Sequence, residues 1–228
     1  MKHGDFTNLA SRYARYRPGY SPFVLDVFAG LKRGGLCADV GAGAGICSRL
    51  LAERGLHVVA VEANDAMRAE REKATGALNI VWRGGSAEET GLAAHSVDMV
   101  CMASAFHWPD FDLAVREFFR ILRPGGHFMA LWNTRRYESN PLLVEIEEYL
   151  HGLVPELKRV SSGRSGFCDT LTERLSERGE FDDVLYLEGR HTEDQTPERY
   201  IGLWESVNDV RVQAGEERFQ RFLDHIRE

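Results

Sequence analysis

The segment with the clearest chemical potential is a run of alternating glycines that follows an acidic residue. It reads Gly41-Ala42-Gly43-Ala44-Gly45 and comes shortly after Asp39. Glycines allow the backbone to turn tightly and approach a ligand, which then faces the N-terminus of the following helix. Glu62 lies 21 residues after Gly41 (62 − 41), near the roughly 20 expected of nucleoside-binding units, and its carboxylate can hold a ribose diol. The pattern predicts a nucleoside site, with a merely tight turn and a surface glutamate as the alternative.

A second group of reactive and aromatic residues is Phe106-His107-Trp108, directly after a short apolar run. Histidine can exchange a proton near neutral pH, so His107 is the predicted catalytic residue, acting as a general base or by positioning a substrate. Phe106 and Trp108 are predicted to wall the site, and Trp108 offers a face for a cation. The alternative is that both rings only pack and that His107 only satisfies a backbone carbonyl.

These residues fall at the ends of short apolar runs that alternate with helical patterns. The patterns predict strands at 36–40, 57–62, 78–82, 97–102 and 127–132, and helices at 46–54, 64–75 and 110–122. Such alternation is typical of an α/β fold with parallel strands and right-handed crossovers. Because the strands are apolar almost throughout, we expect a Rossmann-like, doubly wound, mostly parallel sheet with helices on both faces.

The pattern changes after Asn133. Helical patterns cover 141–153 and 171–178, strand character covers 181–191, and 197–228 is predicted to form two helices separated near Gly215. We therefore expect one domain over 1–228, with a core at about 36–133 and an α-helical cap from about 1–30, 134–180 and 195–228.

Composition narrows the function classes. The chain has 228 residues, 43% of them hydrophobic, and a formal charge of −7, which argues against binding to nucleic acid or to anionic membranes. No apolar run approaches the roughly 20 residues of a membrane span, and the polar N-terminus does not suit a signal peptide. We expect a cytoplasmic monomer or homodimer. The four cysteines and eight histidines show no zinc-binding spacing, so no metal site is predicted.

The motifs together resemble those of class I S-adenosylmethionine-dependent methyltransferases. Asp39 with the Gly-x-Gly-x-Gly spacing resembles motif I of that family, and the resemblance extends over about 36–133. It includes 85–89 after the third strand, Asp98 opening the fourth strand and the turn at 122–126. The sequences 13–18 and 105–108 resemble the subgroup of trans-aconitate and malonyl-carrier-protein methyltransferases within methyltransferase type 11.

The resemblance implies S-adenosylmethionine as methyl donor, S-adenosylhomocysteine as product and a small molecule as acceptor. Glu62 would take the ribose diol, Asp39 the cofactor ammonium and Arg17 the cofactor carboxylate. Ser86 stands where many relatives have aspartate, and the Ala87 backbone would read the adenine. The implied cofactor-binding residues are Tyr16, Arg17, Asp39, Gly41, Ala42, Gly43, Glu62, Ala63, Ser86, Ala87, Glu88, Ala103, Phe106 and Trp108.

Several alternatives stay open. The first acceptor hypothesis is a carboxylate oxygen, with nitrogen and phenol oxygen as others, and Arg135, Arg136 or Arg164 could attract an anionic substrate. The chain could instead be an NAD-dependent oxidoreductase, although position 46 is Ile rather than the third glycine of that motif. It could also be a non-catalytic relative that only binds the cofactor.

The family's seventh strand, which is antiparallel, has no counterpart in the pattern after His191. Either the natural chain continues past residue 228 or this edge of the sheet is built differently.

Overall fold

A five-stranded sheet lies at the centre of the structure, which is a computed structural model describing residues 9–69, 78–158 and 165–228. The strands are β1 (Leu36–Val40), β2 (His57–Val61), β3 (Ile80–Arg83), β4 (Val97–Ala103) and β5 (Leu122–Leu131). Their order is β3-β2-β1-β4-β5, and every described pairing is parallel. The direction of winding reverses between β1 and β4, so the predicted doubly wound α/β fold is confirmed.

Helices connect the strands and extend the chain beyond the sheet. They are α1 (Ala10–Tyr16), α2 (Pro22–Leu31), α3 (Ile46–Ala52), α4 (Asp65–Ala69), α5 (Phe111–Ile121), α6 (Pro141–Leu153), α7 (Gly166–Asp169), α8 (Leu171–Ser176), α9 (Pro197–Glu205) and α10 (Asn208–Arg227). Asp110 caps α5 by accepting a hydrogen bond from the Leu113 N–H, and Asn140 caps α6 in the same way. The helix predicted over 64–75 corresponds to α4, and its predicted end at Thr75 lies outside the described residues.

Two apolar layers cover the two faces of the sheet. Met99 and Cys101 of β4 pack with α2 and α3, whereas Val100 and Met102 pack with α5 on the other face. All four are almost completely buried, which explains why this strand is apolar on both faces.

The cap is a separate helical cluster formed by α6, α9 and α10 around the fully buried Trp204. Gly215 has a positive φ of 73° inside α10, so the predicted break there is confirmed. The region 134–180, predicted to belong to the cap, is split between the cap and the sheet. Its helices α7 and α8 pack against the sheet through Phe167, Leu171 and Leu175. Only α6 of that region joins the cap cluster.

The prediction of strand character at 181–191 is wrong, since no strand occurs there. Leu185 is 90% exposed and Tyr186 is 77% exposed. A run with strand propensity forms a strand only where a neighbouring strand accepts its hydrogen bonds. Among the described residues, the run pairs with no strand, and β5 stays at the edge of the sheet.

No helix in the described ranges combines the length and the apolar character that a membrane span requires.

Asp98 ties together three strands at their amino ends. Its carboxylate accepts a hydrogen bond of 2.9 Å from the Leu36 N–H of β1 and pairs with Arg123 of β5 at 2.9 Å. The hydrogen bond from Leu36 and then the Arg123 guanidinium lower the pKa of Asp98. Charged Asp98 therefore stabilises the amino ends of these strands, at the edge of the sheet opposite the loops that carry the site.

Replacing Asp98 with Asn should lower the free energy of unfolding by about 1–3 kcal/mol at pH 7. Because the folded-state pKa is depressed, this stabilisation is present above the unfolded pKa and is lost as pH falls through the folded value. The difference in the free energy of unfolding between variant and wild type should shrink below about pH 4. Urea unfolding of both proteins at a series of pH values measures this difference. The control Asp26→Asn, at a 65% exposed carboxylate paired with Arg54, should change little.

Candidate functional site

The glycine run forms the turn between β1 and α3, as its spacing predicts. Gly41, Gly43 and Gly45 all have positive φ, at 68°, 58° and 87°. A Cβ on Gly41 would lie 2.9 Å from the Cβ of Ala105, closer than real Cβ contacts come. The N–H groups of Gly41 and Ala42 both donate to the Val61 carbonyl, at 2.8 and 3.1 Å. Side-chain size and backbone conformation thus both require glycine at position 41.

Glu62 joins the end of β2 to this turn. Its Oε2 accepts a hydrogen bond of 2.8 Å from the Gly43 N–H, and its Oε1 accepts one of 2.7 Å from the Asn64 N–H. Each carboxylate oxygen has further lone pairs that can accept from a hydroxyl. The Glu62 carboxylate is therefore held beside the glycine turn, where a diol-binding group would have to lie. Ala63 follows Glu62 in the chain.

Asp39 lies completely buried at the foot of the turn. Its Oδ2 accepts a 2.5 Å hydrogen bond from the Ser48 hydroxyl, while no described residue donates to its Oδ1. Burial raises the pKa of Asp39 to about 7, with Ser48 opposing the shift and the charge of Glu62 adding to it. A buried carboxylate with one unused oxygen can accept a hydrogen bond from a cationic ligand, which would stabilise its charged form.

Two buried thiols adjoin Asp39. Cys47 and Cys101 have their sulfur atoms 3.6 Å apart, and ligand atoms of all three residues lie within 4.8 Å of one another. The hydrogen bond with Cys101 and then burial raise the pKa of Cys47. Metal coordination needs thiolates, so thiols held in the protonated form disfavour a metal ion at this cluster.

The segment after β3 lies next to Glu62, whose N–H donates to the Arg83 carbonyl. Ser86 closes a local turn, because its hydroxyl accepts from the Glu89 N–H at 3.2 Å. Ala87 is buried, and Glu88 accepts from the Asp110 N–H at the start of α5. The segment that carries the three predicted adenine-side residues thus begins beside Glu62.

The N-terminal residues separate into two groups. Arg17 donates to the Ser206 carbonyl at 3.1 Å, stacks on Tyr13 and lines a cleft beside the site. Tyr16 packs its ring on Gly202 of α9, and its hydroxyl lies 3.4 Å from Glu198. Its predicted cofactor contact is therefore replaced by packing between α1 and the cap, because only glycine at position 202 leaves room for the ring.

The cleft lies at the carboxyl ends of β4 and β5, under the start of α10. Residues that the sequence did not reveal as site residues line it: Tyr13, Tyr20, Ser104, Asn133, Asn208 and Asp209. Ser104 has a positive φ of 53°, unusual for a residue other than glycine and often seen at functional sites. Its hydroxyl accepts from the Tyr20 hydroxyl at 3.2 Å. Tyr13 opens the stretch 13–18 on which the subgroup resemblance rests, and Asn208 and Asp209 are polar residues at the start of α10 that are nevertheless buried.

His107 lies immediately behind this cleft. Its ring centroid is 4.4 Å from that of Trp108, which lines the cleft and is 40% exposed, and both follow Ala103, the last residue of β4. The indole N–H of Trp132 donates to His107 Nδ1 at 3.3 Å. Burial lowers the pKa of His107 to about 4, against a smaller opposing effect of the Asp209 charge. His107 is therefore neutral at neutral pH.

Phe106 does not reach the cleft, contrary to its prediction as a cofactor contact. It is completely buried, and its ring meets Phe128 edge-on at 5.0 Å and lies 5.8 Å from Phe118. The side chain points into the apolar layer under α5, so it supports the loop that carries His107 rather than walling the cleft.

Of the predicted anion-binding arginines, Arg135 is occupied by contacts within the cap. Arg135 pairs with Glu147 at 3.3 Å and stacks on Trp204 at 4.4 Å, so its charge holds the cap together. Arg136 is exposed, and Arg164 lies outside the described residues.

Comparisons with known proteins agree with one another. A family described as a methyltransferase domain matches residues 38–130. An uncharacterized methyltransferase of Mycobacterium tuberculosis is 34% identical over 230 residues, which cover 98% of this chain and 84% of the relative. A ubiquinone/menaquinone biosynthesis C-methyltransferase of Rubrivivax gelatinosus is 34% identical over 94 residues, covering 41% of this chain and 37% of the relative.

Solved structures share the fold. A candidate type II methyltransferase of Anaeromyxobacter dehalogenans superposes with a TM-score of 0.66 at 24% identity, covering 93% of this chain and 88% of that one. A candidate methyltransferase from an antibiotic biosynthesis pathway of Anabaena variabilis gives a TM-score of 0.60 at 22% identity, covering 94% and 86%. At these identities the likeness shows a shared fold.

The Asp39→Asn variant should remove a pH dependence of folding. Because the folded-state pKa of Asp39 is raised to about 7, its stabilising contribution is complete below the unfolded pKa and is lost as pH rises toward 7. The stability of the variant relative to wild type should therefore rise by roughly 2–3 kcal/mol between pH 5 and pH 8. Chemical unfolding at the two pH values measures this. A constant difference would show that this carboxyl does not titrate in that range.

Proposed function

This chain belongs to the class I S-adenosylmethionine-dependent methyltransferases, and on that premise we propose that it methylates a carboxylate oxygen of a small organic acid. The observation that carries the cofactor part is the 2.8 Å hydrogen bond between the Gly43 N–H and Glu62. It brings the ligand-approaching turn and the diol-binding carboxylate together across 19 residues of sequence. No other pair of predicted site residues is joined so directly within the described ranges.

The protein groups at the site match the chemical groups of S-adenosylmethionine one by one. The glycine turn allows close backbone approach, and Glu62 has lone pairs for two hydroxyl donors. The unused, buried Oδ1 of Asp39 suits an ammonium, directly or through water. The Arg17 guanidinium, whose Nε is buried without a described partner, suits a carboxylate.

When bound, S-adenosylmethionine would supply a methyl group carried on a sulfonium sulfur. The acceptor oxygen would form the new C–O bond, and the electron pair of the broken C–S bond would stay on sulfur, which gives S-adenosylhomocysteine. The protein's contribution is to hold the acceptor in line and to exclude water, since alignment alone can supply most of the required rate enhancement. The cleft walled by Trp108, Ser104 and Asn133 is where we propose that the acceptor binds.

A carboxylate acceptor is supported by the subgroup resemblance. A carboxylate is also already deprotonated at neutral pH, so its methylation needs no base. A second class of acceptor, an amine or a hydroxyl, is favoured by the buried carboxylate of Asp209 in the same cleft, which would attract a hydrogen-bond donor.

Replacing Glu62 with Gln should weaken binding of S-adenosylhomocysteine by about 10-fold or more, because hydrogen bonds to a charged group contribute roughly 1.5–3 kcal/mol. Titration calorimetry measures the dissociation constants. The matched control Glu53→Gln, at a half-exposed carboxylate paired with Arg49 on α3, should bind like wild type. Equal affinities for all three proteins would remove Glu62 from the proposed site.

The function itself is tested with methyl-labelled S-adenosylmethionine and a panel of mono-, di- and tricarboxylic acids, primary amines and phenols. We expect label in alkali-labile esters of carboxylic acids. Label in amines or phenols instead would favour the second acceptor class. Tight cofactor binding without transfer to any member would favour a non-catalytic relative, and absence of cofactor binding would refute the proposal.

A further inference from the structure

The hydrogen bond between Trp132 and His107 fixes where the histidine carries its proton. Trp132 follows β5 and His107 follows β4, so the 3.3 Å contact joins the carboxyl ends of two adjacent strands. An indole nitrogen can only donate, so His107 Nδ1 must be the acceptor and must carry a lone pair. A neutral imidazole has a single N–H, and here that N–H must be on Nε2.

The other ring nitrogen is thereby a donor that lacks an acceptor. His107 Nε2 is buried, and no described residue lies within hydrogen-bonding distance of it. A buried donor without a partner destabilises the state in which it stays unsatisfied. A ligand that offers an oxygen lone pair would remove this cost. The ring lies beside Trp108, which lines the cleft, with 4.4 Å between the ring centroids and the planes tilted by 45°. The charge of Asp209, another lining residue, also acts on it.

We propose that Trp132 is a positioning residue that fixes His107 as an Nε2–H donor, and that this donor holds one carboxylate oxygen of the methyl acceptor. The proposal rests on the proposed function and chooses between its two acceptor classes. The second oxygen of the same carboxylate remains available to attack the methyl group.

The same tautomer excludes His107 as the general base. The Nδ1 lone pair is occupied by the Trp132 indole, and Nε2 already carries a proton, so neither nitrogen can accept one from a substrate without breaking the arrangement. An alcohol or an ammonium group would have to lose a proton during methylation, whereas a carboxylate would not. Asp209, the other titratable group near the ring, would repel a carboxylate unless the Nε2–H donor offsets its charge.

The tautomer can be measured on the full-length, ligand-free protein, independently of any activity. Ring-nitrogen NMR of histidine-labelled protein at pH 7 should give His107 a protonated Nε2 and an unprotonated Nδ1. Among the eight histidines, its signals are those that His107→Gln removes. Trp132→Phe removes the indole donor and should shift the ring toward a mixture of tautomers. A protonated Nδ1 in wild type, or no change in Trp132→Phe, would overturn the positioning role.

The donor role is tested by comparing His107→Gln with His107→Leu, using the panel's fastest carboxylic acid. Glutamine keeps an N–H donor but cannot act as a base at neutral pH, whereas leucine offers neither. We expect kcat/KM to fall about 3-fold for glutamine and about 30-fold for leucine, since a hydrogen bond to a charged group is lost only in the latter. Thermal unfolding checks that both variants fold.

Equal losses in the two folded variants, or turnover of amines and phenols only, would overturn the donor assignment. Failure of the proposed function looks different. The wild-type protein would then neither bind S-adenosylhomocysteine nor transfer label, while the NMR result would still decide the tautomer.

Discussion

The structure depends on how the backbone leaves β1. Three glycines with positive φ turn the chain from β1 into α3 in five residues, and the Glu62 carboxylate fixes that turn to the end of β2 by accepting from Gly43. The turn must come this close to both neighbours, since even a methyl group on Gly41 would collide with Ala105 of the next strand's loop. The His107 loop, in turn, is held by Phe106 in the apolar layer beneath it.

The sheet and the cap contribute different kinds of group. The sheet ends supply backbone N–H groups, Glu62, Asp39 and the Trp132–His107 pair, all fixed by parallel strands with fully buried neighbours. The cap and N-terminal segment supply Arg17, Asn208 and Asp209 from residues distant in sequence. The proposed cofactor and acceptor sites each draw on both parts, since Arg17 is proposed for the cofactor carboxylate and His107 for the acceptor.

Local patterns predicted the strands and helices around the sheet well, because the hydrophobic period of an element and the spacing of glycines are local properties of the sequence. The bounds of β1 and α6 agree with their patterns, and β2, β3, β4 and α5 differ by one or two residues. The prediction of a separate turn at 122–126 before β5 is wrong, because β5 begins at Leu122 and pairs there with Val97 of β4. Tyr16, Phe106 and Arg135 were misassigned because an aromatic or cationic residue next to a motif can face either the cleft or the core. Their partners, such as Gly202 and Glu147, are chosen by tertiary packing. Asp209 was missed because its charge acts on His107, which lies about a hundred residues earlier in the chain.

The contact between α1 and the cap lies beside the site. It combines the Tyr16 ring on Gly202, the hydrogen bond from Arg17 to the Ser206 carbonyl, and ion pairs such as Arg15–Glu198, whose side chains are 68% and 69% exposed. Exposed ion pairs contribute little free energy each and are screened by salt, so the ring packing contributes most to this contact. Screening by salt therefore leaves the main part of the contact intact.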